Sequence, residues 1–285
     1  MKIMIRLDFW KMHGLGNDFI IIDNRDRKLD RLNLGKLAST LCRRRFSIGA
    51  DGLLLLYKSN VADAKMRIFN ADGSEAEMCG NGIRCIARYC YERNIARKEH
   101  IRIETLAGTK DLWLKINDGR IESVKVDMGS PKFKRPQIPM RGEGTFINQE
   151  LKVNGEKFRA TCLSIGNPHC VIFIDKLDEF PVRKIGSKIE RHELFPNRVN
   201  VEFVEVMSRN ELKVRVWERG VGETLACGTG ACASVVAGKI NEKTDRRCTV
   251  HLLGGDLKIE YTKDNKIFME GSVEKVYEGI VFLEV

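Results

Sequence analysis

Two stretches of this chain, Met78-Cys79-Gly80-Asn81-Gly82-Ile83-Arg84-Cys85 and Ala226-Cys227-Gly228-Thr229-Gly230-Ala231-Cys232, are versions of one motif set 148 positions apart. At that shift Arg67 falls on Arg215, Ile68 on Val216, Phe69 on Trp217 and Glu75 on Glu223, with no gap. Gly52-Leu53-Leu54-Leu55 falls on Asn200-Val201-Glu202-Phe203. Leu15-Gly16-Asn17 falls on Ile165-Gly166-Asn167 at a shift of 150. Three elements recur in one order and at one spacing, which constrains the fold to a duplicated domain. If an approximate two-fold axis relates the halves, Cys79 and Cys227 approach it from opposite sides.

That placement has a chemical use. One thiolate can take a proton from a carbon while the other thiol delivers one to its far face, inverting the centre. Gly-X-Gly after each cysteine lets the backbone turn tightly and approach a ligand. Ile83, Ile86, Ala87 and Cys90 keep helical spacing after the first copy, and residues 231–237 are apolar all round, as in a buried helix. Both thiols are therefore expected at helix N-termini, where the unpaired N–H groups and the dipole favour negative charge. Raised thiolate character follows. The same N–H groups, from Gly80, Asn81, Gly228 and Thr229, could hold a substrate carboxylate.

Elsewhere the pattern supplies polar groups at loop ends. Residues 9–12 and 19–22 read as strands flanking a loop with Asn17. Residues 66–70 read as a strand ending in Asn70, which is equally a turn cap. Residues 32–42 have helical spacing and a basic last turn, residues 185–192 read as a short helix, and strand patterns resume after the mid-chain prolines near residue 158. His169 stands where the first copy has Phe19, and a histidine near the thiols can tune their protonation. Arg219 can bind a carboxylate through two parallel N–H bonds. Glu218 beside it can meet an ammonium or bias a thiol.

Lys11-Met12-His13-Gly14-Leu15-Gly16-Asn17-Asp18-Phe19, Phe69-Asn70-Ala71-Asp72-Gly73-Ser74, Cys79-Gly80-Asn81-Gly82, Gly166-Asn167-Pro168-His169, Asn197-Arg198-Val199-Asn200-Val201 and Glu218-Arg219-Gly220 through Cys227-Gly228-Thr229-Gly230 together resemble diaminopimelate epimerase, in order from about Phe9 to the C-terminus. The resemblance implies an α+β fold of two pseudo-symmetric domains, each a mixed sheet or barrel around a central helix, with the active site in the cleft between them. It implies an isomerase that interconverts LL- and meso-2,6-diaminopimelate, a step toward lysine and peptidoglycan precursors, using Cys79 and Cys227 without pyridoxal phosphate, another cofactor or metal. It implies substrate contacts at Asn17, Asn70, Gly80, Asn81, Asn167, Asn200, Glu218, Arg219, Gly228 and Thr229, and thiol tuning by His169 and Glu218. Many relatives carry a polar residue where this chain has Gly52, so that contact is absent here.

The domain boundary is expected near Asp127, where Gly129-Ser130-Pro131, Pro136 and Pro139 mark a crossing. Residues 1–127 form the first half and 128–273 the second. In the family the last strand, residues 274–285, returns to the first half. Residues 1–8 are expected to extend or lead into the first strand.

Composition narrows the rivals. The net charge of +10 is spread along the chain, and the only tight basic cluster is Arg43-Arg44-Arg45. With 7% aromatic residues and no stacking motif, nucleic acid is not an expected partner. Nothing approaches the ~20 apolar residues of a membrane span, and no signal peptide is apparent, so a cytoplasmic location is expected. Nine cysteines without Cys-X2-Cys spacing read as reduced thiols, not as a zinc site or a disulfide frame. A homodimer is the expected assembly, although the residues do not decide it. Gly228-Thr229-Gly230-Ala231-Cys232-Ala233 fits a dinucleotide pattern, but its sister copy ends in Cys85 and no strand-helix series with a ribose-binding acid follows. Two alternatives stay open: a proline-racemase-like enzyme of the same fold, and a non-catalytic thiol redox or binding protein.

Overall fold

A computed structural model describes residues 4–284; of the expected leading segment and last strand, residues 1–3 and 285 lie outside the described residues. The first elements are β1 (Met4–Gly14), β2 (Asn17–Asp23), α1 (Leu34–Leu41), β3 (Gly52–Tyr57), β4 (Ala64–Asn70), β5 (Glu75–Ala76), α2 (Gly80–Glu92), β6 (His100–Thr105), β7 (Gly108–Asn117) and β8 (Arg120–Gly129). After them come β9 (Phe146–Val153), β10 (Glu156–Ser164), β11 (Pro168–Phe173), α3 (Val182–Glu190), β12 (Asn200–Ser208), β13 (Glu211–Glu218), β14 (Gly222–Thr224) and α4 (Gly228–Ile240). β15 (Arg247–Leu252), β16 (Gly255–Tyr261), β17 (Ile267–Gly271) and β18 (Glu274–Glu284) complete the chain. Two compact units emerge, Met1–Val126 with Gly271–Val285, and Asp127–Glu270.

The duplication reaches the level of strand pairing. In the first unit β1–β2, β3–β4, β4–β5, β6–β7 and β7–β8 pair antiparallel, while β2–β3 and β4–β6 run parallel. In the second, β10–β11, β12–β13, β13–β14, β15–β16 and β16–β17 pair antiparallel, with β11–β12 and β13–β15 parallel. Each strand keeps the partners of the one nine places earlier. The parallel pairs hold the same register: Phe19 lies opposite Gly52, and His169 opposite Asn200. β9 pairs with β10, and the counterpart for β1 is β18, from the far end of the chain.

Two-residue periodicity explains the layering. In β3, Leu53 and Leu55 join Phe9, Ile20, Ile22 and the α1 residues Leu37, Ala38 and Leu41 in one core. Leu54 points the other way, under the first turn of α2, where a side-chain carbon on Gly82 would come within 3.1 Å of it. In β12, Val201 and Phe203 share a core with Ile185 and Ile189 of α3, and the intervening residue lies under α4. Burying leucines of this kind contributes about 1.5–3 kcal/mol each. Ten of the thirteen α4 residues are buried, Gly228 and the unbroken run from Gly230 to Gly238, as the apolar run predicts.

Three local expectations shift. α1 begins at Leu34 because Asn33 caps it, accepting from the Lys36 N–H at 2.9 Å. It ends before Arg43, so its last turn is not basic. α3 spans Val182–Glu190 instead of residues 185–192, starting directly after Pro181, whose fixed φ suits a helix entry. β9 precedes the expected return of strand structure, its polar outer residues (Asn148, Gln149, Glu150) having hidden the alternation.

Candidate active site

Cys79 and Cys227 are the N-caps of α2 and α4. Both have extended backbones, with φ −137° and −119°, and both sulfurs accept from the N–H three residues on: Gly82 to Cys79 Sγ at 3.5 Å, and Gly230 to Cys227 Sγ at 3.4 Å. A serine or aspartate ordinarily takes this capping role. Here a thiol does so twice. The helix starts sit directly on the sheets: a side-chain carbon on Gly230 would lie 2.8 Å from Glu202 Oε1, and one on Gly228 would lie 2.8 Å from Met269 Sδ.

In the first unit, the Cys79 thiol points to Asn17 Oδ1 at 3.8 Å, and Asn81 Nδ2 donates to the same oxygen at 3.1 Å. Leu15 and Gly16 both have positive φ, 56° and 81°, which closes the β1–β2 hairpin in two residues and delivers Asn17 to the start of β2. Asn17 Nδ2 donates to Asp51 Oδ2 at 2.9 Å. Arg44 bridges Asp51 and Asp18, and Lys11 contacts Asp18 at 2.7 Å and donates to the Gly49 carbonyl. Partial burial works to raise the Asp18 carboxyl, but hydrogen bonds from Arg44 and Lys11 prevail and hold it down at about 2. Arg84, fully buried, braces the helix start by donating to Gly80 O at 3.2 Å and Asn81 Oδ1 at 2.9 Å. Asn70 stands apart: it lies opposite Gly52, and its amide donates to Ser74 Oγ at 2.9 Å within the turn. The Phe19 ring and the Phe69 carbonyl crowd Gly52, at 3.3 and 3.0 Å from where a Cβ would stand.

The second unit gathers more of the candidates. Cys227 Sγ lies 3.5 Å from Thr229 Oγ1, which accepts from Asn167 Nδ2 at 3.2 Å. Asn167 Oδ1 faces His169 Nε2 at 2.9 Å, and His169 Nδ1 lies 2.7 Å from Glu202 Oε1. Asn200 Nδ2 donates to the Pro168 carbonyl at 2.9 Å, and Asn200 Oδ1 accepts from the Arg219 N–H at 2.9 Å. The Arg219 guanidinium donates to Asn197 O at 3.4 Å. Glu218 Oε1 accepts from Thr224 Oγ1 at 2.6 Å.

The electrostatics of Cys227 correct the expectation of loosely held protons. Burial, then the charges of Glu218 and Glu202, push its thiol well above the ordinary value; the Thr229 hydroxyl and Gly230 N–H act in the opposite sense and lose. Desolvation of a fully enclosed thiolate outweighs a helix terminus. The remaining seven cysteines are buried, free thiols. Cys42, Cys85 and Cys90 are pushed up to about 12 by burial.

Several groups escaped the sequence reading. Glu190 accepts from Trp217 Nε1 at 2.8 Å and from the Gly220 N–H at 2.9 Å, fixing the turn after Arg219. Asp51, Arg44 and Arg84 support Asn17 and Asn81. Glu202 sits behind Gly230. Among the described residues no cluster of three His, Cys, Asp or Glu is placed to hold a metal ion.

The family model described as diaminopimelate epimerase matches residues 9–134 and 161–276. A diaminopimelate epimerase of Pelotomaculum thermopropionicum is 52% identical over 274 residues, covering 96% of this chain and 98% of that protein. The one from Moorella thermoacetica is 51% identical over 275 residues, with the same coverage. One from Methanococcus maripaludis is 49% identical over 275 residues, covering 96% and 99%. Among solved structures, a hydroxyproline epimerase from Agrobacterium vitis superposes with a TM-score of 0.70 at 14% identity, covering 98% of this chain and 92% of that one. A PhzF-family phenazine biosynthesis protein from Bacillus anthracis gives 0.69 at 17%, covering 97% and 99%. These two share the fold.

Proposed function

The chain belongs to the diaminopimelate epimerase family, and from that membership we propose that it interconverts LL- and meso-2,6-diaminopimelate by proton transfer between two thiols. The observation that carries the reading is the pair of cysteine N-caps, with Cys79 pointing to the Asn17 amide and Cys227 lying against Thr229, which the Asn167 amide holds. A redox or binding protein would have no use for Asn17, Asn167, Asn200 and Arg219 around such thiols. A proline racemase acts on a substrate with no distal amino-acid group to be held.

In this mechanism the thiolate of one cysteine removes the α-proton, and the C–H electron pair passes into the substrate carboxylate. The other thiol then protonates the opposite face, so each turnover exchanges the protonation states of the two sulfurs. Cys227, with its proton tightly held, is the donor in the direction where Cys79 is the base. The carbanion is the main barrier. Gly80 and Asn81 begin α2, Gly228 and Thr229 begin α4, and the positive ends of these helices would hold the charge developing on the carboxylate. Each well-placed donor of this kind is worth about 2.7–4 kcal/mol in other enzymes. Arg219, Asn200, Asn167, Asn17 and Asn70 would bind the substrate's polar groups, and Glu218 with His169 would set the protonation of the thiols. The mechanism asks for no cofactor.

The test is incubation of reduced protein with LL-diaminopimelate in deuterated water. Inversion with one deuterium at the α carbon is expected. Unlabelled product, or no inversion, ends the proposal.

Self-association is part of the same reading. β18 exposes Ile280 and Phe282 on one face, and Met4, across from Glu284, is 61% exposed beside them. An apolar row of this kind suits a second copy of the chain. Phe282→Glu should then shift the sedimentation coefficient to that of a single chain. No described helix is long and apolar enough to cross a membrane. A set of free cysteines fits the reducing conditions of the cytoplasm.

A further inference from the structure

Behind Cys227 lies a carboxylate without a role in the mechanism above. Glu202 and His169 have side chains that are 0% exposed. Their counterparts in the first unit are Leu54 and Phe19, also buried. The register is the same in both: Ile21 lies opposite Leu54, and Val171 opposite Glu202. Leu54 supports Gly82 as Glu202 supports Gly230. One repeat therefore fills the space beneath its cysteine turn with an apolar pair, the other with a carboxyl group and an imidazole. Burying a hydrogen-bonded polar pair gains little or no stability over an apolar pair of similar volume. Packing alone does not account for it.

The hydrogen bonds form one chain. Asn167 gives its Nδ2 to Thr229 and turns its Oδ1 to His169 Nε2. Glu202 lies against the first turn of α4, where the dipole favours an anion, and its Oε1 meets His169 Nδ1 at 2.7 Å. Glu202 Oε2 has no hydrogen-bond partner among the described residues, so this carboxylate's bonding is directed at the histidine.

Building on the reading of Cys227 as one of the two bases, we propose that Glu202 is a positioning residue for the proton transfer: it holds the His169 ring through Nδ1, which fixes Asn167 and, through it, Thr229 beside the Cys227 sulfur. The titratable groups that face or sense Glu202 are His169 on β11 and the thiols of Cys170 and Cys227, both of which its charge helps to raise. Opposite it on β13 stands the apolar Val216.

Long-range proton–nitrogen spectra of protein labelled in its histidine rings read the proposal directly, with the His169 signals identified by their loss in His169→Phe. The Nδ1 signal is expected to be that of a strongly hydrogen-bonded nitrogen in the unmodified protein and to move in Glu202→Gln. A His169 signal that Glu202→Gln leaves in place overturns the proposal. Kinetics supply the second arm. Glu202→Gln should keep KM within about two-fold and lower kcat about 10- to 100-fold, with a shifted pH profile. The double variant Glu202→Leu/His169→Phe, which copies the first unit, should regain the melting temperature lost in Glu202→Leu without regaining kcat. Unmodified kcat and pH profile in Glu202→Gln, or recovered turnover in the double variant, assigns Glu202 to packing and overturns the role. If the unmodified protein does not epimerise diaminopimelate, the proposed function fails on its own, while the spectra still report on Glu202.

Discussion

Asn200 joins two loops that are not neighbours in sequence: its amide nitrogen reaches the carbonyl of Pro168, and its oxygen receives the backbone N–H of Arg219 at 2.9 Å. The side chain is buried, so removing it strands both backbone groups. Each such loss costs about 1–3 kcal/mol. Asn200→Ala is expected to lower the melting temperature and to raise KM for diaminopimelate, because the Arg219 turn loses its anchor. Calorimetry and steady-state kinetics check both. A wild-type KM would remove Asn200 from substrate positioning.

The Asp18 carboxyl is held at about 2 in the folded protein, against 3.8 for an aspartate free in water. Folding therefore favours its ionised form, and the stabilisation is complete above pH 4 and fades as pH falls toward 2. A tenfold change in proton affinity corresponds to about 1.4 kcal/mol, and partial exposure of Arg44 reduces the total. Asp18→Asn is expected to cost about 1–2 kcal/mol at pH 7 and to converge with the parent protein near pH 2. Urea unfolding at several pH values measures the difference, and a constant gap would exclude Asp18 as its source.

Cys79 is half-buried, whereas the other eight cysteines are buried. Brief treatment of native protein with iodoacetamide should alkylate Cys79 first, with loss of activity in proportion. Peptide mass mapping reads the site. Early modification of Cys42 or Cys85 instead would contradict the burial order.

Gly230 leaves no room for a methyl group, because Glu202 Oε1 would stand 2.8 Å away. Gly230→Ala must displace that carboxylate or the helix start. Overpacking of this kind costs about 1–3 kcal/mol, and kcat should fall more than stability predicts. Unchanged turnover would show that the Cys227 cap tolerates displacement.

Much of the architecture was legible because duplication doubles every signal. The Cys79 and Cys227 turns, the helices after them and the Asn17 and Asn167 loops each appear twice at one spacing. Glu202 was not legible. In Asn200-Val201-Glu202-Phe203 it reads as the polar member of an alternating strand, and its partner His169 lies thirty-three residues earlier, across a parallel pairing. Glu190 was hidden likewise at the end of a helix, its purpose visible only where Trp217 and Gly220 meet it. The thiol proton of Cys227 was misjudged because a helix terminus can be read from local letters, while enclosure cannot. Asn70 was ambiguous in sequence, and its bond to Ser74 shows the turn-capping half of that ambiguity.

The pairing of β18 with β1 sets a schedule for synthesis. A ribosome releases the first half of the sequence long before the strand that finishes its sheet, whereas Asp127–Glu270 is an uninterrupted length of chain. The later-made unit can close first, and the earlier one must wait for β18 to be made, its β1 edge open to other chains meanwhile. A chain cut after Glu270 would thus hold the whole second unit and a first unit without its last strand.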